Sequence, residues 1–450
     1  VKRLASLALA GLLAGPAAAR DLAKEAARPS PGWVRDAVVY ELFPRAYSAR
    51  GDFASVTARL AELQELGVSV LWLMPVNPLG KLKSKGSFGS PYAVRDYDAV
   101  NPDYGTRDDL KQLVAQAHRR GIKVILDVVL NHTAWDSVLL QKHPEYFTHD
   151  ASGQIVSPVP DWTDVADLDY SKPGLRAYLV EMLKRWVTET DVDGFRCDVA
   201  GYVPTDFWEQ VRDELQKVKP ELFLLAEWDS GELVVKAFDA IYAWPFHQAL
   251  AEVFLEGKPA SWLRAAWEKD RDRLPRGALQ LRFSDNHDER RAIVRFGEKG
   301  ALLASALVFT LDGVPLIYNG MEVGDTAESG APALFEKHDV NWAFAERRPE
   351  FPKFYRQITA LRREHEALRR GDLAFVRSSD DARVLSYLRR SATEEVLVAL
   401  NFSSQPFVGT LEVLAGFQEI TPEVAGRRPL ALPALSLGAW GYRIFARPLP

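Results

Sequence analysis

Gly194-Phe195-Arg196-Cys197-Asp198 is a short strand candidate set between two amphipathic helices, and what flanks it decides the fold. Upstream, Ser171-Lys172-Pro173 opens a helix that carries Leu175, Leu179, Leu183 and Trp186 at helical spacing; downstream, another follows Thr205 through Phe207, Val211 and Leu215. The same alternation recurs along the chain. Strand candidates fall at 38–43, 68–73, 124–129, 194–199, 222–226, 238–242, 279–283 and 314–318. Several are apolar on consecutive positions, as expected of parallel strands covered on both faces. Thr106 as N-cap, Asp109 three residues later and Gly121 as stop bound a further helix. Repeated strand and helix imply right-handed crossovers and a parallel sheet, and eight such units imply an α/β chain closed into a (β/α)8 TIM barrel. The structural alternative is an open doubly wound sheet.

Two departures from this rhythm divide the chain. Residues 132–169 form a long connection, with Pro144, Gly153, Pro158 and Pro160, after the third strand. Barrel enzymes place their chemistry at that end of the strands, so this connection is expected to be an inserted subdomain walling a cleft. From 371 to 450 the texture changes to alternating strands and turns, at 384–388, 396–401, 409–413 and 439–445, which predicts a C-terminal antiparallel β-sandwich domain after a barrel spanning 30–370. At the other end, Lys2 and Arg3 precede an apolar run from Leu4 to Leu13, and Ala17-Ala18-Ala19 offers a cleavage site. Residues 1–19 therefore resemble a signal peptide, too short to span a bilayer, and a secreted or periplasmic location is expected, with no membrane insertion once the signal is removed.

Hydrophobic residues at 47% and charged residues at 26% place the 450-residue chain among globular proteins rather than disordered or fibrous ones. A formal charge of −5 without long basic runs argues against nucleic acid as a partner. The single cysteine, Cys197, excludes an intrachain disulfide and is expected to be a buried thiol facing away from the cleft.

Acidic groups gather at the predicted strand ends. Asp127 closes the third strand, with Asn131 and His132 just beyond it. Along the fourth, Arg196 and Asp198 share one face while Phe195 and Cys197 share the other. A buried Arg196 would favour the ionised form of Asp198, as a carboxylate nucleophile requires, although a structural ion pair would look the same. The fifth strand delivers Glu227 beside Trp228, where apolar surroundings would raise its pKa and keep it protonated as a general acid. The seventh ends in Ser284-Asp285-Asn286-His287-Asp288. Two carboxyl groups about 5–5.5 Å apart suit retaining glycoside hydrolysis, which needs no cofactor. A metal-dependent barrel hydrolase is the rival from these residues, but none of the eight histidines forms a His-x-His or HExxH pair.

With those residues assembled, the chain resembles the α-amylase family of glycoside hydrolases from about Trp33 to the C-terminus. The match rests on DVVLNH at 127–132, GFRCD at 194–198, LLAEW ending at Trp228, and SDNHD at 284–288. YELFPRAY at 40–47 and GVPLIYNGMEVG at 313–324 support it in the same order. The resemblance implies Asp198 as nucleophile, Glu227 as acid/base and Asp288 as the residue that holds substrate hydroxyls and distorts the sugar. It also implies Tyr92, Asp127, His132, Arg196, Asn286 and His287 around the same subsite, with Trp228 as a platform on the leaving-group side. The implied substrates are starch-type α-glucans or maltooligosaccharides, cleaved at α-1,4 bonds through a covalent glycosyl-enzyme. Within the family, a transglycosylase or a cyclomaltodextrinase or neopullulanase-like enzyme would share every one of these residues. A non-catalytic carbohydrate-binding barrel is the reading from another class. Val199-Ala200-Gly201-Tyr202 departs from the small residues and Lys-His that often follow the nucleophile, so the usual histidine ligand of a structural calcium is missing. Asn131 remains as a calcium ligand through its oxygen, with Asp161 or Asp167 as partner.

Overall fold

A computed structural model describes residues 21–422 and 432–449; the signal-peptide expectation for residues 1–19 lies outside the described residues. Eight parallel strands, Val39–Leu42, Val70–Leu73, Lys123–Val128, Gly194–Cys197, Phe223–Ala226, Ala240–Tyr242, Leu279–Arg282 and Val314–Tyr318, follow one another around a closed barrel. Each expected strand is present, shortened at one or both ends in most cases. The sixth begins at Ala240; just before it, the Asp239 carboxylate accepts from Arg212 Nη2 and from the Leu224 amide.

Side chains alternate across the barrel wall. Val39, Val70, Trp72, Ile125, Leu225 and Tyr242 fill the interior, so the barrel is a packed core and not a pore. The opposite set, Leu71, Leu126, Cys197, Leu224 and Ile317 among them, packs under the surrounding helices. Cys197 is thus a buried thiol in the layer beneath the helices. The predicted capping box is formed: the Thr106 hydroxyl accepts from the Asp109 amide, and Asp109 accepts from the Thr106 amide, at the start of helix Arg107–Arg119. Helices Pro173–Thr190 and Thr205–Val218 flank the fourth strand as expected.

The long connection contains a two-stranded antiparallel pair, His132–Ala134 with Val165–Asp167, and a short helix, Val138–Lys142. At the C-terminus, strands Asp372–Val376, Val384–Arg390, Glu394–Asn401, Tyr442–Pro448 and Gln418–Glu419 lie in that order in one antiparallel sheet. A ribbon of Phe407–Thr410 and Ala434–Leu437 packs on its outer face through Val384, Leu397, Phe407, Leu437 and Phe445. Tyr387, Val398 and Ile444 on the inner face join the barrel's own core. The last strand starts at Tyr442, later than the expected 439, because Trp440 adopts a left-handed φ of 52° and Gly441 turns the chain. Among the described residues, no helix is long and apolar enough to cross a membrane.

Candidate active site

Strand register assembles the acids. Asp127 pairs with Arg196 across the third and fourth strands, and Cys197 pairs with Ala226 across the fourth and fifth. Asp198 and Glu227, one residue further on, therefore leave adjacent strands side by side. The Glu227 amide donates to the Cys197 carbonyl at 3.0 Å, and the Val199 amide donates to Glu227 Oε2 at 2.8 Å.

Arg196, fully buried, joins the group. Its Nη1 donates to Asp127 Oδ1 at 2.9 Å and to Asp198 Oδ1 at 3.0 Å; its Nη2 lies 2.7 Å from Glu227 Oε1. One cation thus faces three carboxyl groups that are themselves nearly buried, so all three cannot ionise together without cost. Burial pushes Asp198 up to about 6, against the pull of Arg196. The sequence expectation that Arg196 would simply favour the ionised form is corrected to that extent: desolvation wins, although the group still ionises below neutral pH. Burial pushes Glu227 further, to about 8, with Asp198 and Asp288 adding to the rise against Arg196, in line with the expected protonated acid. Asp127 rises to about 6 for the same reason, burial. Its Oδ2 accepts from Trp72 Nε1 at 3.3 Å and from the Tyr92 hydroxyl at 3.1 Å.

The loop after the seventh strand brings His287 and Asp288 to the same place. His287 Nδ1 bonds Glu41, while Nε2 lies 2.7 Å from the Tyr92 hydroxyl and 3.2 Å from Asp288 Oδ2. Burial alone would lower its pKa, but the Asp288 and Glu41 charges outweigh it and raise the imidazole to about 9. Tyr92 stacks on this ring at 5.4 Å. Ligand atoms of Glu227, His287 and Asp288 come within 4.8 Å of one another, the spacing of a metal site. Both His287 nitrogens already have partners, Glu41 at one and Tyr92 and Asp288 at the other. Asn286 is fully buried, its Oδ1 accepting from the Asp288 amide at 3.0 Å. It shapes the turn behind the acid and does not line the cavity.

Asp198, Glu227, Asp288, Tyr92, His132 and His287 line one cavity of about 290 Å³ at the C-terminal ends of the strands. His132 is kept neutral there, burial lowering its pKa to about 4. Trp228 is half-buried and is not among the residues lining this cavity; its ring packs on Gly201, where a Cβ would meet it at 2.1 Å, and against the ring of Tyr202 at 5.2 Å. Trp162 lines the cavity, and exposed Tyr202 lies 6.1 Å from it. Sequence reasoning missed Glu41, Trp162, Lys85 and Phe335. Glu41 was visible as a lone acid inside the first apolar strand; the other three, contributed by loops to the cavity wall, gave no local signal.

Some of the donors nominated for calcium are engaged elsewhere. Asn131 Nδ2 lies 3.1 Å from His132 Nδ1, and the Asn131 backbone carbonyl accepts from the Leu168 amide. Asp161 is exposed, its carbonyl taken by Lys85 Nζ, which also pairs with Asp164 at 2.8 Å; Asp167 is half-buried at the end of the hairpin. A positive charge already sits at this loop. Calcium wants six to eight oxygens.

Eight parallel strands that carry acids and imidazoles to one cavity at their C-terminal ends define a TIM-barrel enzyme. The family profile for the α-amylase catalytic domain matches residues 27–157 and 159–365. The chain is 30% identical over 401 residues to the α-amylase MalA of Haloarcula japonica, a match that covers 84% of this chain and 57% of that protein. It is 28% identical to a cyclomaltodextrinase of a Bacillus species, over 82% of this chain and 73% of the relative. The crystal structure of a maltogenic α-amylase, AmyB from Thermotoga neapolitana, superposes with a TM-score of 0.85 at 31% identity, covering 93% of this chain and all of that one. The chain belongs to the α-amylase family of glycoside hydrolases.

Proposed function

We propose that this protein hydrolyses α-1,4-glucosidic bonds in starch-type glucans or maltooligosaccharides with retention of the anomeric configuration. The observation that carries the reading is the convergence of Asp198, Glu227 and Asp288 on one cavity at the barrel mouth, the first two leaving adjacent strands side by side; burial raises both of these and Glu227 further. Environments that separate the pKa values of paired acids assign the acid and the nucleophile. At neutral pH, Asp198 is ionised and attacks the anomeric carbon, while Glu227 gives its proton to the leaving glycosidic oxygen. Glu227, now ionised, takes a proton from water, which attacks the same carbon and releases Asp198. Asp288 and protonated His287 hold sugar hydroxyls, and Arg196 balances the charge as the proton leaves Glu227. The reaction asks no metal or cofactor for any step.

A second reading is favoured by the cyclomaltodextrinase relative: cyclodextrins, or transfer to a sugar acceptor, would use the same acids. Export rests on the character of residues 1–19 and is proposed on that ground alone. The test is to incubate the protein with soluble starch, pullulan and cyclodextrins while following product size and anomeric form. We expect α-anomeric products and a kcat/KM that rises through pH 6 and falls through pH 8. Glu227→Gln should lose at least about 10³-fold, the scale of a general acid. β-anomeric products would remove the covalent route, and normal sugar affinity without turnover would leave a binding barrel.

A further inference from the structure

A second cavity, of about 440 Å³, lies at the far end of the barrel from the acids, where the N-terminal ends of the seventh and eighth strands meet the C-terminal sheet. Six arginines line it, Arg35, Arg271, Arg276, Arg369, Arg370 and Arg389, against two acids, Asp312 and Asp372. Such a concentration of positive charge runs against a chain whose net charge is −5.

Two of the six are engaged in the fold, Arg370 with Asp36 and Arg271 with Asp272 and the Trp267 ring; the other four have donors to spare. Arg389 is 1% exposed, yet its Nη1 and Nη2 donate only to the carbonyls of Thr310 and Gly371, and its Nε has no acceptor. Arg276 makes no side-chain hydrogen bond or ion pair among the described residues. Arg35 reaches only the Gly277 carbonyl, at 3.5 Å. Arg369 Nε is unpartnered, 3.7 Å from an Asp36 carboxylate that already holds Arg370 in a two-pronged pair. The acids compensate only in part: the Asp312 and Asp372 charges reach Arg389 without a hydrogen bond to it, Asp312 Oδ1 being shared by Trp267 and Arg282 and Asp372 being exposed. A buried guanidinium without a carboxylate beside it is costly unless an anion joins it.

We infer that this cavity binds a phosphate group, free or carried by a small organic molecule. Guanidinium forks match the oxygens of phosphate in pairs, and a doubly charged anion suits several cations better than a carboxylate would. Arg276 and Arg35, whose donors are free or nearly so, would close on the oxygens that face solvent, with Arg389 beneath.

The test is calorimetric titration of the full chain with inorganic phosphate and, separately, glucose 6-phosphate, at ionic strength held constant with sodium chloride. One saturable site is expected, weakened at least tenfold in the double variant Arg35→Ala/Arg276→Ala, whose turnover of starch should equal that of the parent. Tighter binding of the ester than of inorganic phosphate would support an organic phosphate as ligand; equal binding would support the free ion. Absence of saturable binding by both probes, equal affinity in the double variant, or displacement by maltotriose would each overturn the assignment, the last by moving the anion to the sugar cleft.

Discussion

His287 has an acid on either side, Glu41 at Nδ1 and Asp288 at Nε2, and the two hold it as a cation with a pKa near 9. Glu41 is fully buried and touches no part of the cavity, so it acts through the imidazole. Replacing it by Gln keeps the shape and removes the charge. Glu41→Gln is expected to lower the His287 pKa part of the way towards 6.5, since Asp288 remains, and to cut kcat/KM about tenfold, on the order of 1.4 kcal/mol of transition-state binding. Imidazole titration by NMR checks the first, and an unchanged titration would show that Glu41 only packs. Val199 is strained nearby: a β-branched residue at φ 36°, ψ 47°, held there while its amide donates to Glu227. Strain of about 1–3 kcal/mol at such a site survives only where the surrounding structure imposes it.

At the scale of the element, the pairing of the fourth and fifth strands brings Asp198 and Glu227 together, and that pairing depends on one glycine. Gly194 opens the fourth strand at φ +148°, and a Cβ there would fall 1.8 Å from the Phe223 carbonyl oxygen. Gly194→Ala must therefore push the two strands apart. A loss of more than about 3 kcal/mol is expected, read as a melting temperature lowered by several degrees or as failure to recover folded protein. An alanine variant that melts with the parent would mean that the register does not need the glycine. Elements whose signals are local were legible in the sequence: the eight apolar strands, the Thr106–Asp109 box, and the helices on either side of Gly194-Phe195-Arg196-Cys197-Asp198. The C-terminal strands were less so. Strand Asp372–Val376 went unread and the last strand was begun too early, because Trp440 takes a left-handed turn that its side chain does not announce.

In the whole molecule, barrel and C-terminal sheet share one core. Tyr387 and Ile444 pack with the barrel helices, and the Tyr387 hydroxyl lies 2.6 Å from Thr310 Oγ1. Buried Arg362 donates to the Gly313 and Leu368 carbonyls across the same seam. The two parts are expected to unfold in a single calorimetric transition; two resolved transitions would show that the seam is weak. The site also makes stability depend on pH. Asp127, Asp198 and Asp285 titrate near 6 when folded, Glu227 near 8 and His287 near 9, all above their ordinary values. At these five groups the folded chain holds more protons than the unfolded one, and the stability they supply at low pH is lost as pH climbs through the folded values; buried His132 and His247, lowered to about 4 and 3, act in the opposite sense and lose their contribution as pH falls. Asp193, held low by the His118 hydrogen bond and the Lys219 charge against its burial, works with these histidines and loses its contribution only in acid. The melting temperature should fall by several degrees from pH 6 to pH 9.5, and less so in Glu227→Gln. A flat or rising profile would contradict the protonation states assigned to the site.

The order of residues alone settled what is periodic or adjacent: strand and helix in alternation, Arg196 and Asp198 on one face, acids at the ends of the strands. These follow from backbone geometry over a few residues. Barrel closure decided the rest: that Arg196 meets Asp127 and Glu227 as well as Asp198, that Glu41 clamps a histidine 246 positions away, that Trp162 joins the cavity wall, and that the arginines gather beneath the barrel. No local pattern encodes which distant side chains will share a low-dielectric space, and it is that sharing, through desolvation and charge, that separates the two acids in pKa.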